Sequence, residues 1–316
     1  MEELILSVSM PNFNHASYLP KRIPSLLCAM PKNSELIIVD DGSTDGSAEI
    51  IQNFSKQDER ILFIKKRKNE GVIIALQEIL KIARGKFISF QSSDDWILPN
   101  FFFTLLNFSK NYPGFAIYTS HFGYCQKQIP EDLNEIKSNP LIDKAEKPSF
   151  FHADQIVKVF FKTNFWIPGH ASIIQKDFAI KAGGFITSLS HHSDWFMIHA
   201  AALLGGVAYL PETLAIWRLA NDSFSFQQHA NKKELYKVQM SFFRILRRKE
   251  KKELRSLFRR SGVLRGCIRC RLISLFFRPI YWDFLIFYTI GFFQRRFRRL
   301  CKIQDIDTLQ KILGKG

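Results

Sequence analysis

The chain has 316 residues, 46% of them apolar and 23% charged, enough to bury a sizeable core and without internal repeats or low-complexity tracts. Its five cysteines are an odd set with one Cys-x-x-Cys spacing, Cys267 to Cys270, and no second pair, which argues against zinc or redox function. Charge is uneven: of a net +16, residues 244–302 hold +15, eighteen Lys/Arg against Glu250, Glu253 and Asp283.

The first predicted strand, Leu4 to Met10, runs into Pro11-Asn12-Phe13-Asn14, and Ala16 to Met30 reads as a helix. Met1 leads within three residues into that strand rather than into a basic and then apolar leader, so a reducing, cytoplasmic setting is expected. Glu35 to Val39 is a second, β-branched strand ending at Asp40-Asp41-Gly42-Ser43-Thr44-Asp45-Gly46-Ser47. Glycines 42 and 46 suit a tight backbone there, and Ser43, Thr44 or Asp45 can cap a helix starting near Ser47. Phe87 to Phe90 is a strand that ends at Asp94-Asp95 and is followed by Trp96-Ile97-Leu98-Pro99. Strands alternate with helices to about residue 120, which predicts an α/β fold with a mostly parallel sheet. Ligands of such sheets bind beyond the carboxyl ends of the strands, where both acidic loops fall.

Asp94 and Asp95 repel each other and are costly to desolvate without a compensating cation or hydrogen-bond donors. Oxygen-only ligands on a loop suit Mg²⁺ or Mn²⁺, which keep waters and share substrate phosphates. A solvated Asp-Asp turn is the plainer alternative.

Taken together, Pro11-Asn12-Phe13-Asn14, Val39 to Asp45, Asn69-Glu70-Gly71 and Ser93-Asp94-Asp95 with Pro99 resemble, in order and spacing, the family 2 glycosyltransferases. Gly169 to Ser172 with Gly183-Gly184-Phe185 is similar to that family's central strand and acceptor-side loop. Ser193-Asp194-Trp195 is similar to its catalytic-base segment, and Gly205 to Glu212 with Trp217-Arg218 to its closing strand. The resemblance covers roughly residues 4–226. It implies a GT-A fold, a mixed, mostly parallel sheet with helices on both faces. Residues 1–230 would be catalytic, with a nucleotide half to about 120 and an acceptor half after it, and 231–316 a basic, aromatic-rich helical tail.

It also implies roles. Asp95 would bind Mn²⁺ or Mg²⁺, and Asp94 would face the sugar or ribose. Asp40 or Asp41 would accept from the nucleotide base, and Phe13 would pack on it unless it is a core residue. Pro11, Asn14, Asn69 and Gly71 would complete the nucleotide-sugar site, with a UDP-sugar favoured. Asp194 would be the base of an inverting displacement onto a glycan or lipid-linked hydroxyl, and His170, Trp195 and Arg218 would lie on the acceptor side. For His170 an ordinary packed histidine is the alternative, and Asp45 reads first as a helix cap. His191-His192 reads as a surface turn.

Two positions depart from the family pattern. Ser92 stands where many members carry an Asp, and Leu76-Gln77 where the family often has Arg-Asn. A catalytically degenerate assembly partner is therefore a rival reading. Nucleic-acid binding through the basic tail is another, but it leaves the acidic strand ends unexplained. The polar stretch 126–147, with Pro130 and Pro140, is either a lid or an uninvolved excursion.

The tail reads as basic helix over 244–271, then an apolar, aromatic stretch Leu272 to Phe293, then Arg295-Arg296-Phe297-Arg298-Arg299. Arg278, Pro279 and Asp283 interrupt the apolar run, so its longest part falls short of the ~20 residues a spanning helix needs. Interfacial anchoring on an anionic leaflet is expected ahead of a re-entrant or spanning helix or a protein or nucleic-acid patch. That would make the protein peripheral or monotopic on the cytoplasmic face of the inner membrane.

Overall fold

The strand Leu6–Asn12 (β1) sends Leu6, Val8 and Met10 to one side of the sheet and Ser7 and Ser9 to the other, and all five are buried. A strand buried on both faces needs a helical layer on each. The computed structural model supplies both layers; it describes residues 4–125, 137–139, 146–162, 167–218 and 232–300. Most of the stretch 126–147 and the side chains of the Arg-rich run 295–299 lie outside the described residues.

After β1 come Leu19–Ala29 (α1), Ser34–Asp40 (β2), Ser47–Ser55 (α2), Ile61–Lys65 (β3), Val72–Ile82 (α3) and Phe87–Phe90 (β4). Trp96–Ile97 (β5), Phe101–Asn111 (α4), Ile117–Cys125 (β6), Lys137–Asn139 (β7), Ser149–Phe151 (β8) and Ala153–Lys162 (α5) follow. Ser172–Gln175 (β9), Lys176–Ala182 (α6), Ser193–Gly205 (α7) and Val207–Arg218 (β10) complete the sheet region.

The described strands form one ten-stranded sheet with the order β3-β2-β1-β4-β9-β6-β10-β5, β7 pairing with β6 and β8 with β10. β3, β2, β1 and β4 are all parallel, and β10 is parallel to β6. β9 is antiparallel to β4 and β6 and joins the two parallel halves. The sheet is thus mixed and mostly parallel. Parallel register sets Asn12 opposite Asp40, so the loops after β1 and β2 emerge side by side. One face is covered by α1, α2 and α4, and the other by α3 and α5 to α7.

The tail folds as Lys232–Leu246 (α8), Lys252–Ser261 (α9), Arg265–Phe276 (α10) and Trp282–Leu300 (α11). Leu254, Phe258, Ile268, Leu275 and Phe284 join the same hydrophobic cluster as α5 and α7, and Phe258 stacks on Phe196 at 5.1 Å. Composition changes near residue 230, but packing runs across it. Asp283, awkward in a bilayer, instead accepts from Arg259 at 2.9 Å and lies 3.7 Å from Arg247. Among the described residues no helix is long and apolar enough to cross a membrane.

Candidate active site

The first acidic loop is built on its own carboxylates. Asp40 is fully buried and accepts from Asn12 Nδ2 at 2.7 Å, from the Ser43 hydroxyl and from the Ser43 N–H at 3.1 Å. The Ser43 hydroxyl accepts the Asn14 N–H, and the Asn14 Oδ1 accepts the Thr44 N–H, which holds Asn14 at φ 55°. Asp45 accepts from the N–H and hydroxyl of Ser47 and from the Ala16 N–H, which ties the start of α2 to the loop after β1, while the N-cap position itself is Gly46 and not Asp45. Partial burial raises its pKa, but these hydrogen bonds outweigh that and hold it below the ordinary carboxylate value.

Asp41 is buried and accepts the N–H groups of Glu70 (3.1 Å) and Gly71 (2.7 Å), with Lys66 Nζ at 3.2 Å. Asn69 Oδ1 also accepts the Gly71 N–H. The two loops approach so closely that a Cβ on Gly42, at φ +77°, would lie 2.6 Å from the Lys68 carbonyl carbon. A nucleotide base would have to share Asp41 with these partners. Phe13 is 40% exposed and is not a core residue.

The second acidic loop is held from three sides. The Asp95 N–H donates to Ser92 Oγ at 3.0 Å, so Ser92 shapes the loop. Arg218, at the end of β10, donates from Nη2 to Asp94 Oδ2 at 2.7 Å and from its backbone N–H to Asp95 Oδ1 at 3.1 Å. His15 Nδ1 and the Ser93 hydroxyl form a hydrogen bond. Beneath the loop lies Arg22, fully buried, donating from Nε to the Ser92 carbonyl (3.0 Å) and from Nη2 to Gln91 Oε1 (2.9 Å). Burial pushes its pKa down to about 10, while Asp95 and Asp94 act in the opposite direction.

A cavity of about 430 Å³ opens beside this loop, and Pro11, Asp95, His170, Asp194 and Trp195 all line it. Phe13, Asn14, Asp40, Asp41, Asn69, Gly71, Asp94 and Arg218 are not in its walls and lie on the adjoining loops and strand end. Burial raises the Asp95 pKa and Asp94 adds to the rise, while His170 opposes it. His170 packs edge-on against Phe122 at 5.3 Å. Its Nε2 is buried with no hydrogen-bond partner among the described residues, and burial lowers its pKa.

Asp194 sits in the first turn of α7, where the helix dipole favours a carboxylate. Its Oδ1 accepts the Trp195 N–H at 2.7 Å, and the side chain is exposed to the open cavity. The surrounding walls nonetheless exclude enough solvent for burial to raise its pKa. Trp195 stacks on His199 at 4.4 Å. The surface-turn reading of His191-His192 does not hold, because both line the cavity. The turn Thr187–His192 contains Ser190 at φ 46°, an unusual backbone conformation that redirects the chain just ahead of α7.

The Leu76-Gln77 departure has a structural use. Leu76 lines the cavity, and Gln77 Nε2 donates to the Phe185 carbonyl at 2.9 Å, tying α3 to the loop that follows α6. Arg22, Gln91 and His15 escaped the sequence reading, and the only hint was a cation on the apolar side of a predicted helix.

No group of three His, Cys, Asp or Glu able to hold a metal occurs among the described residues. The Asp95 carboxylate and the orphaned His170 nitrogen nevertheless line the same cavity. One carboxylate oxygen and one imidazole fit a divalent ion whose shell is completed by diphosphate and water, and the nitrogen suits Mn²⁺ better than Mg²⁺.

The sheet order, with paired acidic loops at its strand ends and a cavity facing a second carboxylate, is that of a GT-A type fold. Residues 7–181 match the Glycosyl transferase family 2 profile, and the chain belongs to that family. Glycosyltransferase GlyA of Streptococcus pneumoniae is 39% identical over 100 residues, 32% of this chain and 14% of that protein. The putative teichuronic acid biosynthesis glycosyltransferase TuaG of Bacillus subtilis is 37% identical over 91 residues, 29% of this chain and 36% of that one. The chain thus spans well under half the length of either relative. Among solved structures, S. aureus TarS 1–349 in complex with UDP-GlcNAc shares the fold with a TM-score of 0.62 at 16% identity, covering 91% of this chain and 81% of that one. The mannosyltransferase PcManGT from Pyrobaculum calidifontis, in complex with GDP-Man and Mn²⁺, has a TM-score of 0.53 at 12% identity, covering 90% and 86%.

Proposed function

We propose that the protein is a metal-dependent, inverting glycosyltransferase that moves a sugar from a UDP-sugar to a hydroxyl of a glycan or lipid-linked acceptor. The observation that carries this reading is the convergence of Asp95, His170 and Asp194 on one cavity from three different segments of the chain. A polysaccharide setting is supported by the name of TuaG, and the donor and metal by the ligands of TarS and PcManGT. The working location is the cytoplasmic face of the inner membrane, as a peripheral protein.

A divalent ion held by Asp95 and His170 would neutralise charge developing on the departing diphosphate. Asp94 and Arg218 keep the acidic loop in place, so that Asp95 faces the cavity. Asp194 takes the proton of the acceptor hydroxyl as that oxygen bonds to the anomeric carbon and the carbon–diphosphate bond breaks. One displacement inverts the anomeric centre. The raised pKa of Asp194 makes it a better proton acceptor than a solvated carboxylate.

The test is a screen of purified protein against UDP- and GDP-sugars with Mn²⁺, reading nucleotide release with and without chelator. Metal-dependent release from at least one donor supports the reading. Donor binding without any turnover, even with glycan acceptors present, would instead favour the silent assembly partner.

A further inference from the structure

We propose that the hairpin formed by α10 and α11 is a docking surface for an anionic lipid bilayer, lying in the plane of its interface. Leu272, Ile273, Phe276 and Phe277 project from α10 into solvent, Ile273 and Phe277 being 77% and 76% exposed. Trp282, Ile286, Ile290 and Phe293 do the same on α11. The opposite sides are buried: Ile268 and Leu275 on α10, Phe284 on α11 and Tyr281 in the turn between them belong to the core. An apolar trough of about 660 Å³ runs between the exposed rows. Soluble surfaces rarely keep so continuous an apolar patch unless something covers it.

Charge identifies the occupant. Asp283 is the only acid between residues 265 and 300, and it is spent inward on Arg259 and Arg247. Arg269, one turn before Ile273, and Arg278, in the turn between the helices, are exposed and pair with no described residue. The apolar rows are therefore bordered by unneutralised cations, the pattern that anionic headgroups above acyl chains complement. A second copy seated through the same face would bring like charges together.

The length argues for lying in the interface. The 12 residues of α10, and the 12 of α11 from Trp282 to Phe293 that precede its arginines, each span about 18 Å, against about 30 Å of hydrocarbon. Trp282 is prepared for this setting, because its Nε1–H already donates to the Phe276 carbonyl at 2.8 Å and carries no unmet donor into an apolar layer. The hairpin is also coupled to the site: α9 packs on both α11 and α7, which carries Asp194. Docking would fix the attitude of the cavity toward the membrane. This inference rests on the peripheral location proposed above, but its test reads binding alone, so its failure would leave the transferase reading standing.

The experiment is co-sedimentation of the full chain with vesicles of phosphatidylcholine alone or with roughly 30% phosphatidylglycerol, at about 0.1 M salt. The intact protein is expected to bind the anionic vesicles. Ile273→Glu with Phe277→Glu, both at exposed positions, should lower partitioning at least about tenfold with an unchanged circular-dichroism melt. Arg269→Gln with Arg278→Gln should weaken binding to anionic vesicles and leave the small binding to neutral ones unaltered. Absence of binding by the intact chain would overturn the proposal. So would a dimer in sedimentation velocity that Ile273→Glu with Phe277→Glu dissociates while vesicle binding is unchanged.

Discussion

Arg218 donates to Asp94 at 2.7 Å, and the same residue's backbone N–H reaches Asp95 at 3.1 Å, so the last residue of β10 latches both carboxylates of the acidic loop. The guanidinium also lies over the Tyr18 ring, 5.3 Å from its centroid. A strand near residue 218 thereby sets the geometry of the proposed metal ligand more than 120 residues earlier in the chain.

Removing the latch should loosen the loop without unfolding the protein. Arg218→Ala is expected to raise the donor KM about tenfold or more, and Arg218→Lys, which keeps charge but not the planar fork, should recover only part of the loss. Steady-state kinetics over a donor series would check this. An unchanged KM would remove Arg218 from loop positioning.

Arg22 supports the same loop from below. Arg22→Met fills much of the volume but leaves Gln91 Oε1 and the Ser92 carbonyl without their donor, and should cost about 1–3 kcal/mol in urea unfolding. Donor affinity should fall in parallel, since the strand end that carries Asp94 and Asp95 loses its support. Unchanged stability would mean that water or a shifted side chain replaces the guanidinium.

What could and could not be read from the sequence follows from the range of each signal. The runs Glu35 to Val39 and Phe87 to Phe90 announce strands, and the acidic residues after them fall at strand ends whatever the sheet order. That is why the positions of Asp94, Asp95 and Asp45 at strand ends were legible. Arg22 was not, because a charged residue in an amphipathic helix is ordinarily assigned to solvent, and its partners are some 70 residues away in sequence. His191 and His192 were misplaced because the backbone at Ser190 takes a conformation that its residue type does not signal. The tail was read as an appendage from its charge. Its inward faces, Phe258 on Phe196 and Phe284 beside Phe243, show only in three dimensions.

Asp194→Asn tests the base. Turnover should fall by a factor on the order of 10² to 10⁴ while donor affinity changes little, because the amide keeps the shape but cannot take the proton. In the wild type the acid limb of kcat/KM should lie above the ordinary carboxylate value of 3.8, since burial raises the Asp194 pKa. The stability effect has the opposite sense. A carboxyl whose folded pKa is raised favours the native state when protonated and costs stability once pH rises through that pKa. Asp194→Asn should therefore melt at or above the wild-type temperature at neutral pH, with the advantage shrinking as pH falls toward 3.8. A variant that loses donor binding instead would move Asp194 into the donor site.

The most direct test of metal-dependent sugar transfer is calorimetric titration of UDP-sugars into wild type and Asp95→Ala, each with Mn²⁺ and with chelator, alongside nucleotide release in the same samples. Mn²⁺-dependent binding and release are expected in the wild type, with the loss of both in Asp95→Ala and its melting transition intact. Full activity of Asp95→Ala in chelator would contradict it.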